Sequence, residues 1–253
     1  MIFEDKTNPN LYFGAGVTED ERFLIIYASA GTSGNALHYQ DLKEPGSKIS
    51  LLVKGYDHNH SVIENVDDKL LVNTDLGAEN KKVVLVDPKN ADPAQWQTII
   101  PESQLALEGV STGGGYLWAS YLKDASTNIV QFDITGKKLR AVKLPALGTA
   151  DGFSAFKEDK EFFYSFSNFT TPGTIYRYDI AKAESTLYKK SELKFNTDNY
   201  ETKQVFYTSK DGTKVPMFIV HKKGIKLDGN NPVYLYAYGG FQVSLTPGFS
   251  LSR

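Results

Sequence analysis

The chain has no cysteine. Disulfide staples, thiolate catalysis and cysteine-ligated zinc are therefore excluded, and the redox compartment stays undetermined. No apolar run approaches the length of a bilayer span, and the N-terminus has no signal-peptide pattern. There is no excess of either charge. The 28 Lys and Arg stand against 30 Asp and Glu, a net charge of −2, which lacks the basic footprint of a nucleic-acid binder. Neither nucleic acid nor membrane is expected as a partner, and no cofactor or metal is expected. Through the first 190 residues no long segment carries apolar residues at helical spacing.

What the chain has instead is a ruler. Asp41, Asp87, Asp133 and Asp179 stand 46 residues apart each time, and each closes a short apolar run such as Val83-Val84-Leu85-Val86 or Ile129-Val130-Gln131-Phe132. A fixed period of this size marks repeat architecture. Each unit also holds a more hydrophobic run: Phe23 to Tyr27, Leu70 to Val72, Tyr116 to Ala119, and Phe162 to Phe166. The segments after them, Ser29 to Gly34, Asp75 to Asn80, Lys123 to Asn128 and Asn168 to Gly173, are rich in turn residues. Runs this short, rich in β-branched and aromatic residues, read as strands.

Four short antiparallel strands in 46 residues is the plan of a β-propeller blade. A β-sandwich has many short strands too, but no reason to repeat at a constant interval. Four units are expected, near residues 11–55, 56–103, 104–146 and 147–192, and Met1-Ile2-Phe3-Glu4 reads as the outer strand of a further blade. The ruler stops near Leu193 to Asp198, which divides the chain into a partial propeller at 1–195 and a second domain at 196–253. In the second part, Gln204 to Thr208, Lys210-Asp211-Gly212 and Val215 to Val220 read as a hairpin with Pro216 at an edge. Pro232 to Tyr238 reads as a strand buried on both faces, ending in Gly239-Gly240-Phe241.

The stretch from Gln204 to Gly224, followed by Pro232 to Phe241 with its Tyr236-Ala237-Tyr238-Gly239-Gly240-Phe241 signature, resembles the prolyl oligopeptidases (prolyl endopeptidases). Trp96-x-x-Ile99-Ile100-Pro101 and Thr171 to Tyr176 extend the resemblance upstream. The resemblance implies a mainly β chain: about four four-stranded blades of a seven-bladed propeller, then the first strands of an α/β-hydrolase domain. It implies a serine peptidase that cleaves short peptides after proline, with the propeller as a gate over the active site. Short proline-containing peptides and the remainder of its own chain are the implied partners, and the compartment, cytoplasmic or periplasmic, stays open.

By the same resemblance, Tyr238 donates its hydroxyl to the oxyanion and Phe241 helps line the pocket for the substrate proline. The chemistry agrees. A phenol at the end of a rigid strand, followed by two glycines that admit a substrate backbone, suits developing negative charge, and an aromatic face suits an imino-acid ring. Read without the resemblance, both residues are core aromatics at a strand end. The family's Ser, Asp and His lie downstream of this motif, so the 253 residues are expected to be inactive alone.

Other patterns are decoys. Gly109-Val110-Ser111-Thr112-Gly113 fits Gly-x-Ser-x-Gly, but a strand and not a helix follows it, so the nucleophile elbow is not expected. His58-x-His60 lacks the further ligands that zinc needs. His38 and His221 read as strand residues, and no histidine reads as a general base. The periodic Asp residues read as turn caps, and the paired lysines as solvated turns. The alternatives to a peptidase fragment are a stand-alone propeller that binds a partner and an inactive truncated family member.

Overall fold

The computed structural model describes residues 2–194, 196–241 and 243–252. The first sheet is a meander of β1 (Tyr12–Val17), β2 (Phe23–Ser29), β3 (Ala36–Asp41) and β4 (Ser50–Val53). The second contains β5 (His60–Val66), β6 (Lys69–Thr74), β7 (Lys82–Val86) and β8 (Gln97–Ile100). The third contains β9 (Ala106–Gly113), β10 (Tyr116–Lys123), β11 (Ser126–Phe132) and β12 (Lys138–Ala141). The fourth contains β13 (Thr149–Asp151), β14 (Glu161–Asn168), β15 (Thr171–Asp179) and β16 (Glu184–Lys189). Strand order follows chain order in each sheet, and each falls within its expected repeat unit.

The register shows why the repeat stacks. Residues 39, 85, 131 and 177 keep the 46-residue interval, and opposite them on the second strands stand Ile25, Leu71, Trp118 and Phe163. Ile25, with Leu37 from β3, packs against Leu70 and Val72 of the second sheet. Leu71 and Val83 pack against Leu117 and Ala119 of the third. Trp118 and Ile129 pack against Phe162 and Tyr164 of the fourth. Strand alternation thus gives each sheet two apolar faces, one for each neighbour. Burying one such large side chain stabilises the stack by about 1.5–3 kcal/mol.

The capping role of the periodic Asp residues holds. Asp41 Oδ1 accepts from the Lys43 amide at 3.0 Å, Asp87 Oδ1 from Lys89 at 2.9 Å, Asp133 Oδ1 from Thr135 at 3.0 Å, and Asp179 Oδ1 from Lys182 at 2.9 Å. One carboxylate per blade closes the turn after the third strand, where two or three residues would otherwise leave amides unpaired.

Four expectations are corrected. Of the turn expected at Lys123 to Asn128 only Asp124 and Ala125 turn, since Lys123 belongs to β10 and Ser126 to Asn128 belong to β11. Thr171-Pro172-Gly173 belongs to β15 and not to the preceding turn. Asn168 pairs with Thr171 and Phe166 with Thr174, so Pro172 and Gly173 bulge opposite Ser167, which spares proline a ladder bond it cannot donate. Ile2 to Glu4 forms no strand. Phe3 instead packs on Phe13 and His38, with centroids at 5.5 and 4.8 Å, and Met1 lies outside the described residues. Pro232 to Tyr238 forms no strand either, and Val233, Tyr234 and Leu235 are exposed. A strand with two apolar faces needs covering layers, and among the described residues none covers Val233, Tyr234 or Leu235.

Beyond the fourth sheet, β17 (Tyr200–Thr208) and β18 (Lys214–Lys222) form the expected hairpin, with Phe206 opposite Pro216. Pro216 lies in a two-stranded sheet, where β18 is an edge. The expected boundary residue Phe195 lies outside the described residues.

Candidate functional site

The candidate site is the segment that follows the hairpin, and three contacts set its place. Gln204 Nε2 donates to the Asp124 carbonyl at 2.6 Å, Phe218 packs on Phe169 at 5.3 Å, and Thr149 Oγ1 donates to the Pro247 carbonyl at 2.7 Å. Asp124 and Phe169 occupy the turns between second and third strands of the third and fourth sheets. Asp124 and Ala125 both have positive φ (50° and 57°), as a two-residue hairpin turn demands. The second part of the chain therefore lies at the end of the sheets that carries these turns, and the four periodic Asp residues lie at the opposite end.

Tyr238 is half-exposed (49%) and Phe241 is exposed (86%). The phenol folds back over Gly240, where an added Cβ would stand 2.9 Å from Tyr238 Oη. Phe241 has φ +53°, an uncommon left-handed conformation for a bulky residue, and the Val243 amide donates to the Gly240 carbonyl at 3.1 Å to close the turn. The structure thus brings the phenol, Gly240 and the Phe241 ring into one turn open to solvent.

The remaining motifs fall elsewhere. Ser111 lies within β9, opposite Trp118, and its hydroxyl donates to the Phe153 carbonyl. It is a seam residue between the third and fourth sheets, not a serine on a strained elbow. His58 Nδ1 lies 3.2 Å from Asp75 Oδ1, whereas His60 Nδ1 lies 2.9 Å from Thr74 Oγ1 and its ring meets Trp96 edge-on at 6.2 Å. The two rings therefore serve different partners. Burial pushes His60 down to about 4, a neutral imidazole at physiological pH. His38 is also pushed down by burial, and His221 Nδ1 lies 2.9 Å from the Lys222 carbonyl.

Sequence reasoning missed the polar seam between the first two sheets. Asn35 Oδ1 accepts from the His60 amide at 2.9 Å while its Nδ2 donates to the His60 carbonyl at 3.0 Å. Asn59 binds Asp75 through its amide at 2.9 Å and Nδ2 at 2.5 Å. The richness of Asn, Asp and His at 57–60 was the available signal, but nothing in one sequence pairs it with Asn35.

The family model described as the prolyl oligopeptidase N-terminal β-propeller domain matches residues 1–191. A prolyl endopeptidase of Elizabethkingia meningoseptica is 45% identical over 243 residues, which is 96% of this chain and 34% of that protein. A solved structure from an analysis of two prolyl endopeptidases, concerned with inter-domain dynamics in catalysis and specificity, superposes with a TM-score of 0.89 at 37% identity, covering 99% of this chain and 37% of its own. Prolyl oligopeptidase B of Galerina marginata, solved with a 25-residue macrocyclization substrate bound, superposes with a TM-score of 0.88 at 31% identity, covering 99% and 36%. The chain spans about a third of the length of these relatives. The stacked four-stranded sheets, the tail seated at one end of them and these likenesses lead to one conclusion: the chain belongs to the prolyl oligopeptidase family, and the match to its propeller domain accounts for residues 1–191.

Proposed function

We propose that these residues are the later propeller blades and the opening segment of the α/β-hydrolase domain of a serine-type prolyl endopeptidase, with the division near 195/196. The whole protein hydrolyses short peptides on the C-terminal side of proline, and the propeller gates access to the active site. The observation that carries this reading is the 45% identity to a prolyl endopeptidase across 96% of the chain, which continues through the Tyr-Gly-Gly-Phe segment. In this reading the catalytic Ser, Asp and His lie outside these 253 residues. Tyr238 donates its hydroxyl to the oxyanion, and Phe241 forms one wall of the proline pocket. The solvent-open turn at 238–241 supports it, since both groups are free to meet a ligand and the remaining hydrolase layers.

The fourth sheet favours this reading over a closed four-bladed binding module. Phe163 (44% exposed) and Ile175 (37%) occupy positions at which the other three sheets have residues no more than 3% exposed: Ile25, Leu71 and Trp118 in one row, Leu37, Val83 and Ile129 in the other. A closed ring would bury them against the first sheet.

The experiment is turnover of a fluorogenic Gly-Pro amide by the full-length protein and by its Tyr238→Phe variant. The full-length protein cleaves it, and Tyr238→Phe lowers kcat by roughly 10²-fold with little change in KM, as expected for loss of one oxyanion donor. Absence of turnover by the full-length protein would overturn the reading.

A further inference from the structure

The connections between first and second strands are short in the middle sheets, two residues each at Asp67-Asp68 and Gly114-Gly115. In the fourth sheet the same connection spans nine residues, Gly152 to Lys160. It is braced on the third sheet: the Ala155 amide donates to the Thr112 carbonyl and the Gly114 amide to the Phe156 carbonyl, both at 3.0 Å. Phe156 and Asp159 close it internally, with the Phe156 amide donating to Asp159 Oδ2 at 2.9 Å. Beyond this brace the Lys157 amide donates to Glu19 Oε1 at 2.8 Å, a bond between residues 138 positions apart that joins the fourth sheet to the first. The Glu19 amide in turn donates to both carboxylate oxygens of Glu64 in the second sheet, at 3.1 and 3.0 Å.

The connections of the first and fourth sheets thus meet at one point, where Glu64 of β5 joins them from the second sheet. The first strands β1, β5 and β13 are the edges of their sheets. β1 is exposed along its whole length, and Gly14 and Gly16 have open space beside them. The free edges therefore surround an axial opening, and residues 152–160 cross its end. That end is remote from the hairpin and the Tyr238 turn. One solvent-exposed bond to a carboxylate exchanges readily with water, whereas the brace on the third sheet has several bonds. Gly152, at φ +99°, provides a pivot.

We propose that residues 152–160 are a strap across the far mouth of the propeller, latched by the Lys157 amide to Glu19, and that the strap limits the size of molecule that passes along the axis. The identity of the cargo as a peptide rests on the peptidase reading, but the latch does not. Long peptides would have to displace the strap, and short ones would pass beside it.

The test uses the full-length protein with Ala15→Cys as a reporter on β1, combined with Glu19→Ala, which removes the acceptor, or Glu19→Gln, which retains Oε1. Amide exchange at Lys157 is followed, together with alkylation of position 15 by N-ethylmaleimide and by a bulky polyethylene-glycol maleimide, read by mass spectrometry of the peptide carrying that residue. Glu19→Ala accelerates Lys157 exchange by about tenfold or more and raises the bulky reagent's rate several-fold relative to the small one, while Glu19→Gln behaves as the parent. In parallel, Glu19→Ala raises turnover of a long proline-containing peptide relative to a blocked Gly-Pro amide. Unchanged exchange at Lys157 would overturn the latch. Faster exchange without a change in relative alkylation would overturn the barrier. If alkylation responds as expected but the parent cleaves no proline peptide, the peptidase reading falls and the strap stands.

Discussion

The Arg22 guanidinium grips Asp41 through two nitrogens, Nε at 3.1 Å and Nη2 at 2.9 Å from Oδ2, and its remaining nitrogen reaches Asp68 in the next sheet at 2.5 Å. One side chain thereby ties the end of β3 to the start of β2 and the first sheet to the second. Hydrogen bonding to Arg22 holds the Asp41 carboxyl below its ordinary value. This stabilisation is present above the ordinary carboxylate range and is lost as pH falls through the depressed value. Arg22→Ala in the full-length protein is expected to lower the propeller's melting midpoint by about 2–6 °C at neutral pH. Calorimetry at neutral and strongly acidic pH checks it: a penalty that persists undiminished once Asp41 is protonated would contradict the assignment.

His60 is held neutral by burial, with its value near 4 against an ordinary 6.5. The unfolded chain takes up a proton first, so the seam between the first two sheets weakens as pH falls from about 6.5 towards about 4, by at most about 3 kcal/mol. The NMR titration of the His60 Cε1 proton should therefore show no protonation between pH 7 and about 5. A midpoint near the ordinary value would sink the prediction.

Ser111 fits a nucleophile pattern, yet its hydroxyl is spent on the Phe153 carbonyl. Ser111→Ala in the full-length protein leaves kcat and KM for a Gly-Pro amide unchanged within about twofold, with at most about 1–2 kcal/mol of stability lost. Loss of turnover in a folded variant would restore Ser111 as a catalytic candidate.

Gly34 turns into β3 at φ +75°, and a Cβ there would stand 1.7 Å from the Tyr56 carbonyl oxygen. Gly34→Ala is expected to destabilise the seam by about 2 kcal/mol or more, combining left-handed strain with a backbone collision. Gly31→Ala, with open space around it, is the control. Equal midpoints for the two variants by urea denaturation would refute the close approach.

Much of this protein was legible in the sequence because β repeats write their geometry into spacing. The interval between Asp41, Asp87, Asp133 and Asp179 announced four equivalent strands, and their turn-capping role follows from what a carboxylate does beside free amides. The family signature at Tyr236 to Phe241 was equally local. Pro232 to Tyr238 was misread because a continuous apolar run specifies a buried strand only where neighbouring layers exist to bury it. Pro172 was misread because a bulge depends on the partner strand as well as on the proline. Tertiary structure alone decided the joining of Glu19 to Lys157, of Arg22 to Asp68 and of Asn35 to His60. Such bonds depend on how the sheets curve around their axis, and residues far apart along the chain have no period that records it.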